Sequence, residues 1–322
     1  MHALVTGAGG FVGSHVVRAL LEQGATVRAL VRPGKTAPDL SALGTEVIQG
    51  DLRDVEAMQR AVQGCDTVFH VAALYSTREE DAAALYEVNL RGTLNLLLAA
   101  LRSGVGRFVL TSTIGAIGHT RDGTPPDESV PFNLWATASH YARSKHLADM
   151  AALAVAEQGL PVVIVHPTGC VGPGDAKPSA TGQRIIDFLA GRRSPYPEGG
   201  INFVAVTDVA QGHVLAARRG APGQRYILGH AQGNLKETEF LSLLSQVSGQ
   251  PIPPARQARR EQRVFSLTPL WSARPPSRAG HLPAALTANP ARAIRELGLP
   301  QTPLDVAFSQ AVAWFRARGM VR

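Results

Sequence analysis

Short runs of aliphatic and β-branched residues alternate along the first half of the chain with longer stretches whose apolar positions recur every three or four residues. ALVT is followed by FVGSHVVRALLEQG, EVIQ by DVEAMQRAVQG, and TVFHVAA by a helix predicted over 81–103. TVRALV, RFVLTS, a helix over 139–157 and PVVIVHP complete the series. Alternation of this kind predicts βαβ units, and hence a parallel sheet of about seven strands with helices on both faces. Beyond Pro167 the pattern loosens: 176–200 and 230–322 are richer in Pro and Gly, with isolated helices predicted at 181–190, 236–248, 289–297 and 303–317. The expected fold is α/β, a doubly wound parallel sheet over 1–175 with parts of 201–230 returning to it. A smaller C-terminal lobe over 176–322 would cover the substrate.

Composition narrows the function classes. With 322 residues and 45% hydrophobic content the chain is long enough to bury a sizeable core. The formal charge of +7 comes from the C-terminal end, where residues 251–322 hold eleven Arg, no Lys and three acids. Those arginines lie among ten prolines and form no recognisable nucleic-acid module, which reads as a solvated face and argues against a nucleic-acid partner. Cys65 and Cys170 match no metal-ligand spacing, so no metal is expected. No apolar run reaches the roughly 20 residues of a membrane span. MHALVTG enters a strand at once rather than a signal peptide, so a cytoplasmic protein with a small-molecule substrate is expected.

TGAGGFVG at 6–13 places Gly7, Gly10 and Gly13 between the first strand and the first helix, with Phe11 and Val12 opening that helix. Glycine permits a tight turn and close backbone approach, and the helix N-terminus offers unpaired N–H groups to a pyrophosphate, so a dinucleotide site is expected here. At the end of the second strand Arg32, with Lys35 nearby, suits a 2′-phosphate, which points to NADP as the preferred cofactor and NAD as the alternative. Asp51 and Leu52, after the third strand, are expected to flank the adenine, and Asp54 to cap a helix. The Gly/Pro/Asp-rich loop over 114–138 should run near the strand ends, where α/β sheets bind ligands.

Tyr141 and Lys145 stand four apart in SHYARSKHLAD, on one face of the 139–157 helix. An ammonium beside a phenol favours phenolate, so the pair predicts a tyrosine of lowered pKa that exchanges a proton near neutral pH. His119, Tyr75 and Trp135 follow predicted strand ends and are candidate pocket walls, and Arg184, Arg192 and Arg193 are candidate anion contacts.

Taken in order, the three glycines, Asp51-Leu52, HVAA at 70–73, NLRGT at 89–93, TST at 111–113, YARSK at 141–145 and GPGD at 172–175 resemble the extended short-chain dehydrogenase/reductase superfamily, the NAD-dependent epimerase/dehydratase group. The resemblance spans about 200 residues and implies a Rossmann-type fold. It implies that Thr113 stands where a catalytic serine is usual, that Tyr141 is the acid/base, and that Lys145 binds the nicotinamide ribose and lowers the tyrosine pKa. It further implies that Asn89 supports the site and that Val71, Ala72, Ala73 and Thr111 contact the cofactor. In this superfamily the helix pair that includes the Tyr141 helix often forms a homodimer.

HPTGCVGPGD at 166–175 resembles dihydroflavonol reductase and cinnamoyl-CoA reductase-like enzymes, with Pro167 and Thr168 beside the nicotinamide. Nucleotide-sugar epimerases usually carry asparagine where this chain has Gly169, and a phosphate-clamping arginine where it has Asn202. Other stretches, DFLAGRRSPYPEGG and YILGHAQGNL, resemble hopanoid-associated sugar epimerases. The expectation is an NADP-preferring reductase of a ketone or aldehyde on a hydrophobic metabolite. The alternatives are a nucleotide-sugar epimerase or dehydratase with bound NAD, and an NAD(P)-sensing binding protein.

Overall fold

The computed structural model describes residues 1–34, 38–254 and 283–321. Its first half runs β1 (His2–Thr6), α1 (Phe11–Glu22), β2 (Thr26–Val31), a short α2 (Pro38–Ala42), β3 (Glu46–Gln49), α3 (Val55–Val62) and β4 (Thr67–His70). A helical run follows, made of α4 (Ala82–Tyr86), a wider π-type turn over Glu87–Arg91 and α5 (Gly92–Arg102). Then come β5 (Arg107–Thr111), α6 (His140–Ala156) and β6 (Val162–Pro167). The remainder comprises β7 (Gly169–Val171), α7 (Ala180–Leu189), β8 (Ile201–Ala205), α8 (Val206–Arg219), β9 (Arg225–Leu228), β10 (Asn234–Leu235), α9 (Glu237–Ser248) and α10 (Leu304–Ala317).

Seven strands form one sheet in the order β3-β2-β1-β4-β5-β6-β9, every pair parallel. Because both faces are covered, successive residues of a strand enter different cores. Val163 and Val165 of β6 pack with α1 and α8, whereas Val162 and Ile164 pack with α3, α5 and α6. Strand order reverses between β1 and β4, and that switch point is where open α/β sheets leave a crevice for a ligand. A second sheet, β10-β8-β7, packs with α7, α9 and α10 around Phe188, Phe203, Phe240, Phe308 and Phe315. Among the described residues no helix is long and apolar enough to cross a membrane.

The helix starts follow their sequence cues. The Ser139 side chain accepts from Ala142 N–H at 3.2 Å at the start of α6, and Asp54, as expected, accepts from Ala57 N–H at 3.0 Å at the start of α3. The single helix expected over 81–103 is instead interrupted by the turn at Glu87–Arg91. Such turns carry an extra residue within a helix and often serve to aim a side chain, here Asn89.

The first turn leaves no room for a side chain. A Cβ on Gly13 would stand 2.1 Å from Gly7 O. Gly13→Ala must push α1 off β1, and it is expected to cost about 1–3 kcal/mol, the usual range for overpacking. Denaturant unfolding measures this, and an unchanged midpoint would show that the turn has slack.

Candidate active site

At the switch point Gly7 holds φ +68, and a Cβ there would lie 2.7 Å from Ala72 Cα, so the β1 turn touches the end of β4 backbone to backbone. Gly10 donates its N–H to Gly7 O at 2.9 Å and precedes α1 with no side-chain cap, leaving the first-turn amides around Phe11 and Val12 without a side-chain acceptor. That is the arrangement a pyrophosphate requires. Val71, Ala72 and Ala73 continue β4 along the same crevice. Arg32 is exposed just past β2, while Lys35 lies outside the described residues. Asp51 pairs with Arg53 at 2.9 and 2.6 Å, and the guanidinium holds its carboxyl down at about 2. Leu52 is buried, its carbonyl accepting from Asn95 Nδ2 at 3.0 Å.

Tyr141 and Lys145 occupy the first two turns of α6. Lys145 is 1% exposed and finds no hydrogen-bond partner among the described residues. Burial lowers its pKa, against the nearby Asp149, which raises it. The Tyr141 ring meets Tyr75 edge-on at 4.9 Å between centroids. The expected fall in the Tyr141 pKa is corrected by the structure: burial raises it, with Tyr75, Cys170 and Asp149 adding in the same direction. Tyr141 is half-buried, and desolvation by the surrounding protein is the largest cause of the rise.

Thr113 lies two residues past β5, and its Oγ1 accepts from Gly115 N–H at 3.3 Å, which leaves its own proton free to donate. The Thr111 hydroxyl points elsewhere, to His213 Nε2 on α8 at 2.9 Å. Asn89 is 1% exposed. Its carboxamide accepts from Leu74 N–H at 2.8 Å and donates to Leu74 O at 2.9 Å and Ser144 Oγ at 3.1 Å, tying the loop after β4 to α6.

A buried polar chain connects these parts. Thr93 Oγ1 donates to Asn89 O at 2.6 Å, so it accepts from His70 Nε2 at 2.9 Å; His70 Nδ1 then accepts from Thr6 Oγ1 at 2.7 Å, which itself accepts from Ala72 N–H at 3.1 Å. Burial holds His70 neutral, its pKa down at about 3. Thr6, His70 and Thr93, together with Ser112, Asp149 and His166 behind α6, escaped the sequence reading. The available signals were a histidine closing each of two apolar strands and a third member, Asp149, in the i, i+4 series begun by Tyr141 and Lys145.

On the substrate side Pro167 and Thr168 are buried beside β9, and Thr168 Oγ1 donates to Asn202 Oδ1 at 3.0 Å. Asn202 is fully buried and fully engaged: Oδ1 also accepts from His230 N–H at 3.1 Å, and Nδ2 donates to His230 O at 3.0 Å and Asn234 Oδ1 at 2.9 Å. A Cβ on Gly169 would stand 2.9 Å from Asn202 O. Of the expected anion contacts, Arg192 pairs with Asp187 at 2.8 Å and Arg193 with Glu237 at 3.9 Å, so both meet acids of the chain itself. Arg184 donates to Pro195 O and Ala180 O at 3.1 and 3.0 Å. Trp135 packs with Phe132 and His146, and His119 hydrogen-bonds Ala285 O at 3.1 Å, so of the three wall candidates only Tyr75 touches Tyr141. Asn202→Ala would strand four polar partners, and a loss of about 2–4 kcal/mol in a chemical melt is expected; a loss under about 1 kcal/mol would show that the hub is dispensable.

Residues 3–229 match the NAD dependent epimerase/dehydratase family. The chain is 40% identical to a putative dihydroflavonol 4-reductase of Synechocystis, over 99% of this chain and 95% of that one. It is 35% identical to sterol demethylase protein B of Methylococcus capsulatus over the full length of both. The crystal structure of DesIV, a dTDP-glucose 4,6-dehydratase from Streptomyces venezuelae with NAD and TYD bound, superposes with a TM-score of 0.79 at 26% identity, over 100% of this chain and 99% of that one. The chain belongs to the NAD dependent epimerase/dehydratase family, the extended short-chain dehydrogenases/reductases, and is an NAD(P)-dependent enzyme.

Proposed function

We propose that this enzyme is an NADP-preferring reductase of a ketone or aldehyde on a hydrophobic metabolite, with Tyr141 as proton donor. The observation that carries the reading is the closure of the Gly169 and Asn202 positions: no side chain fits at one, and at the other the amide is committed to four bonds in a place with no solvent access. An arginine at 202, or an asparagine at 169, has no space from which to hold a sugar diphosphate. The names of the two relatives point the same way, since dihydroflavonols and sterols are apolar ring systems. The exposed face of Tyr75, against Tyr141, offers such a ring system a flat partner.

The chemistry follows from the groups present. Bound NADPH supplies the hydride. As negative charge grows on the carbonyl oxygen, Thr113 Oγ1 donates a hydrogen bond to it and Tyr141 gives up its proton. Burial keeps that proton on Tyr141 at neutral pH, which suits a donor in the reducing direction. Lys145, with no partner among the described residues, is available to the ribose hydroxyls, and Asn89 keeps α6 against the crevice. Arg32 reads the 2′-phosphate.

Tyr141→Phe is expected to abolish turnover while NADPH affinity stays within a few fold; substantial residual turnover would remove the donor assignment. Arg32→Ala should weaken NADPH binding about tenfold or more with little change for NADH, since a charge-assisted contact is lost only with the phosphate. Calorimetric titration with both nucleotides measures this. Equal losses would free Arg32 from that role, and NAD retained on purification with turnover of a nucleotide sugar would replace the reductase by an epimerase or dehydratase.

A further inference from the structure

Behind the catalytic face of α6 two titratable side chains face one another without taking part in the chemistry above. Asp149 is 3% exposed and His166 fully buried. His166 Nδ1 lies 3.0 Å from the Thr113 carbonyl oxygen, which only accepts, so Nδ1 carries the hydrogen. In a neutral ring Nε2 is then a bare acceptor. Among the described residues it has no hydrogen-bond partner, and the group it faces at 3.8 Å is Asp149 Oδ2. Ser112 Oγ donates to that oxygen at 2.8 Å, whereas Asp149 Oδ1 has no partner among the described residues. Two buried acceptors opposite one another repel, and a lone ionised carboxylate with one donor is costly. One proton on either group turns the repulsion into a hydrogen bond, after a small rotation about the soft terminal torsion of the carboxylate.

We propose that Asp149 and His166 hold a single proton between them at neutral pH and act as a positioning pair that clips the Tyr141–Lys145 helix to the strand end bearing Thr113. The placement supports this: Asp149 follows Lys145 by one helical turn, and its other contact, Ser112, is covalently next to Thr113, whose carbonyl His166 holds. Burial pushes the Asp149 carboxyl up and the His166 imidazole down, which favours the carboxyl as the proton's seat. The charged and titratable groups that face the pair are Lys145, Tyr141 and His146 of α6 and Arg225 of β9. Loss of the proton leaves a negative charge that favours the Lys145 ammonium and makes Tyr141 yield its proton less readily. The catalytic consequence rests on the Tyr141 and Lys145 assignment; the shared proton does not.

The test is nuclear magnetic resonance of the full chain labelled at aspartate carboxyl carbons and histidine nitrogens, with Asp149→Asn and His166→Gln supplying assignments. Between about pH 5 and pH 9 the Asp149 carboxyl and His166 Nε2 signals are expected to change together in one step, totalling one proton. In Asp149→Asn, His166 should stay neutral and Nδ1-protonated throughout. An Asp149 carboxyl ionised over the whole range with His166 unprotonated overturns the proposal, and the wild-type spectra decide this even if a variant fails to fold. In NADPH-dependent carbonyl reduction, kcat should fall as pH rises through the same step, and that step should vanish in Asp149→Asn while the NADPH KM moves less than about threefold. A step persisting at the same midpoint overturns the positioning role. Turnover surviving in Tyr141→Phe would instead remove the catalytic reading and leave the spectra to judge the proton.

Discussion

The carboxamide of Asn89 joins parts of the chain that share no sequence neighbourhood. It holds the loop after β4 through both backbone groups of Leu74 and reaches α6 through Ser144, which donates to the Tyr141 carbonyl. Its own backbone carbonyl takes the Thr93 hydroxyl, from which the buried chain runs through His70 to Thr6 in the glycine turn. The glycine turn and the helix with the tyrosine and lysine are thus set relative to one another by one wholly satisfied polar network. Buried networks of this kind specify a single arrangement because every member left unpaired would cost a full desolvation penalty. Asn89 lies within the wider turn at 87–91, a kind of helix interruption frequent at functional sites.

Around that network the protein keeps an uncommon amount of ionisable chemistry out of water. Lys145, Asp149, His70 and His166 are all 3% exposed or less. In such surroundings burial, more than neighbouring charge, sets the protonation states, which is why the phenol of Tyr141 is raised although a lysine sits one turn away. A tyrosine that keeps its proton and a lysine short of partners describe an enzyme prepared for a cofactor.

The proposed specificity rests on packing as much as on contacts. Asn202 sits between β7, β10 and the turn after β9, and its four bonds close the space in which a phosphate-binding side chain would stand. Gly169 closes the other side because its neighbours already touch the space a Cβ would need. The same fold in DesIV accommodates a nucleotide.

Much of this was legible in the amino-acid order. Periodicity alone determined the alternating elements, because a buried parallel strand and an amphipathic helix leave different repeats, and the glycine spacing and the Tyr141–Lys145 interval marked the candidate site because both act over one or two turns of local backbone. The cap at Asp54 was readable for the same reason. What sequence could not convey were relations between residues distant along the chain: the Thr6–His70–Thr93–Asn89 path, the Asp149–His166 encounter, and the closure around Asn202. Nor could it give the direction of the Tyr141 shift, since i, i+4 spacing reports the neighbouring charge but not the depth of burial. Those were decided by tertiary packing, because desolvation and hydrogen-bond satisfaction depend on what the rest of the fold places around a side chain.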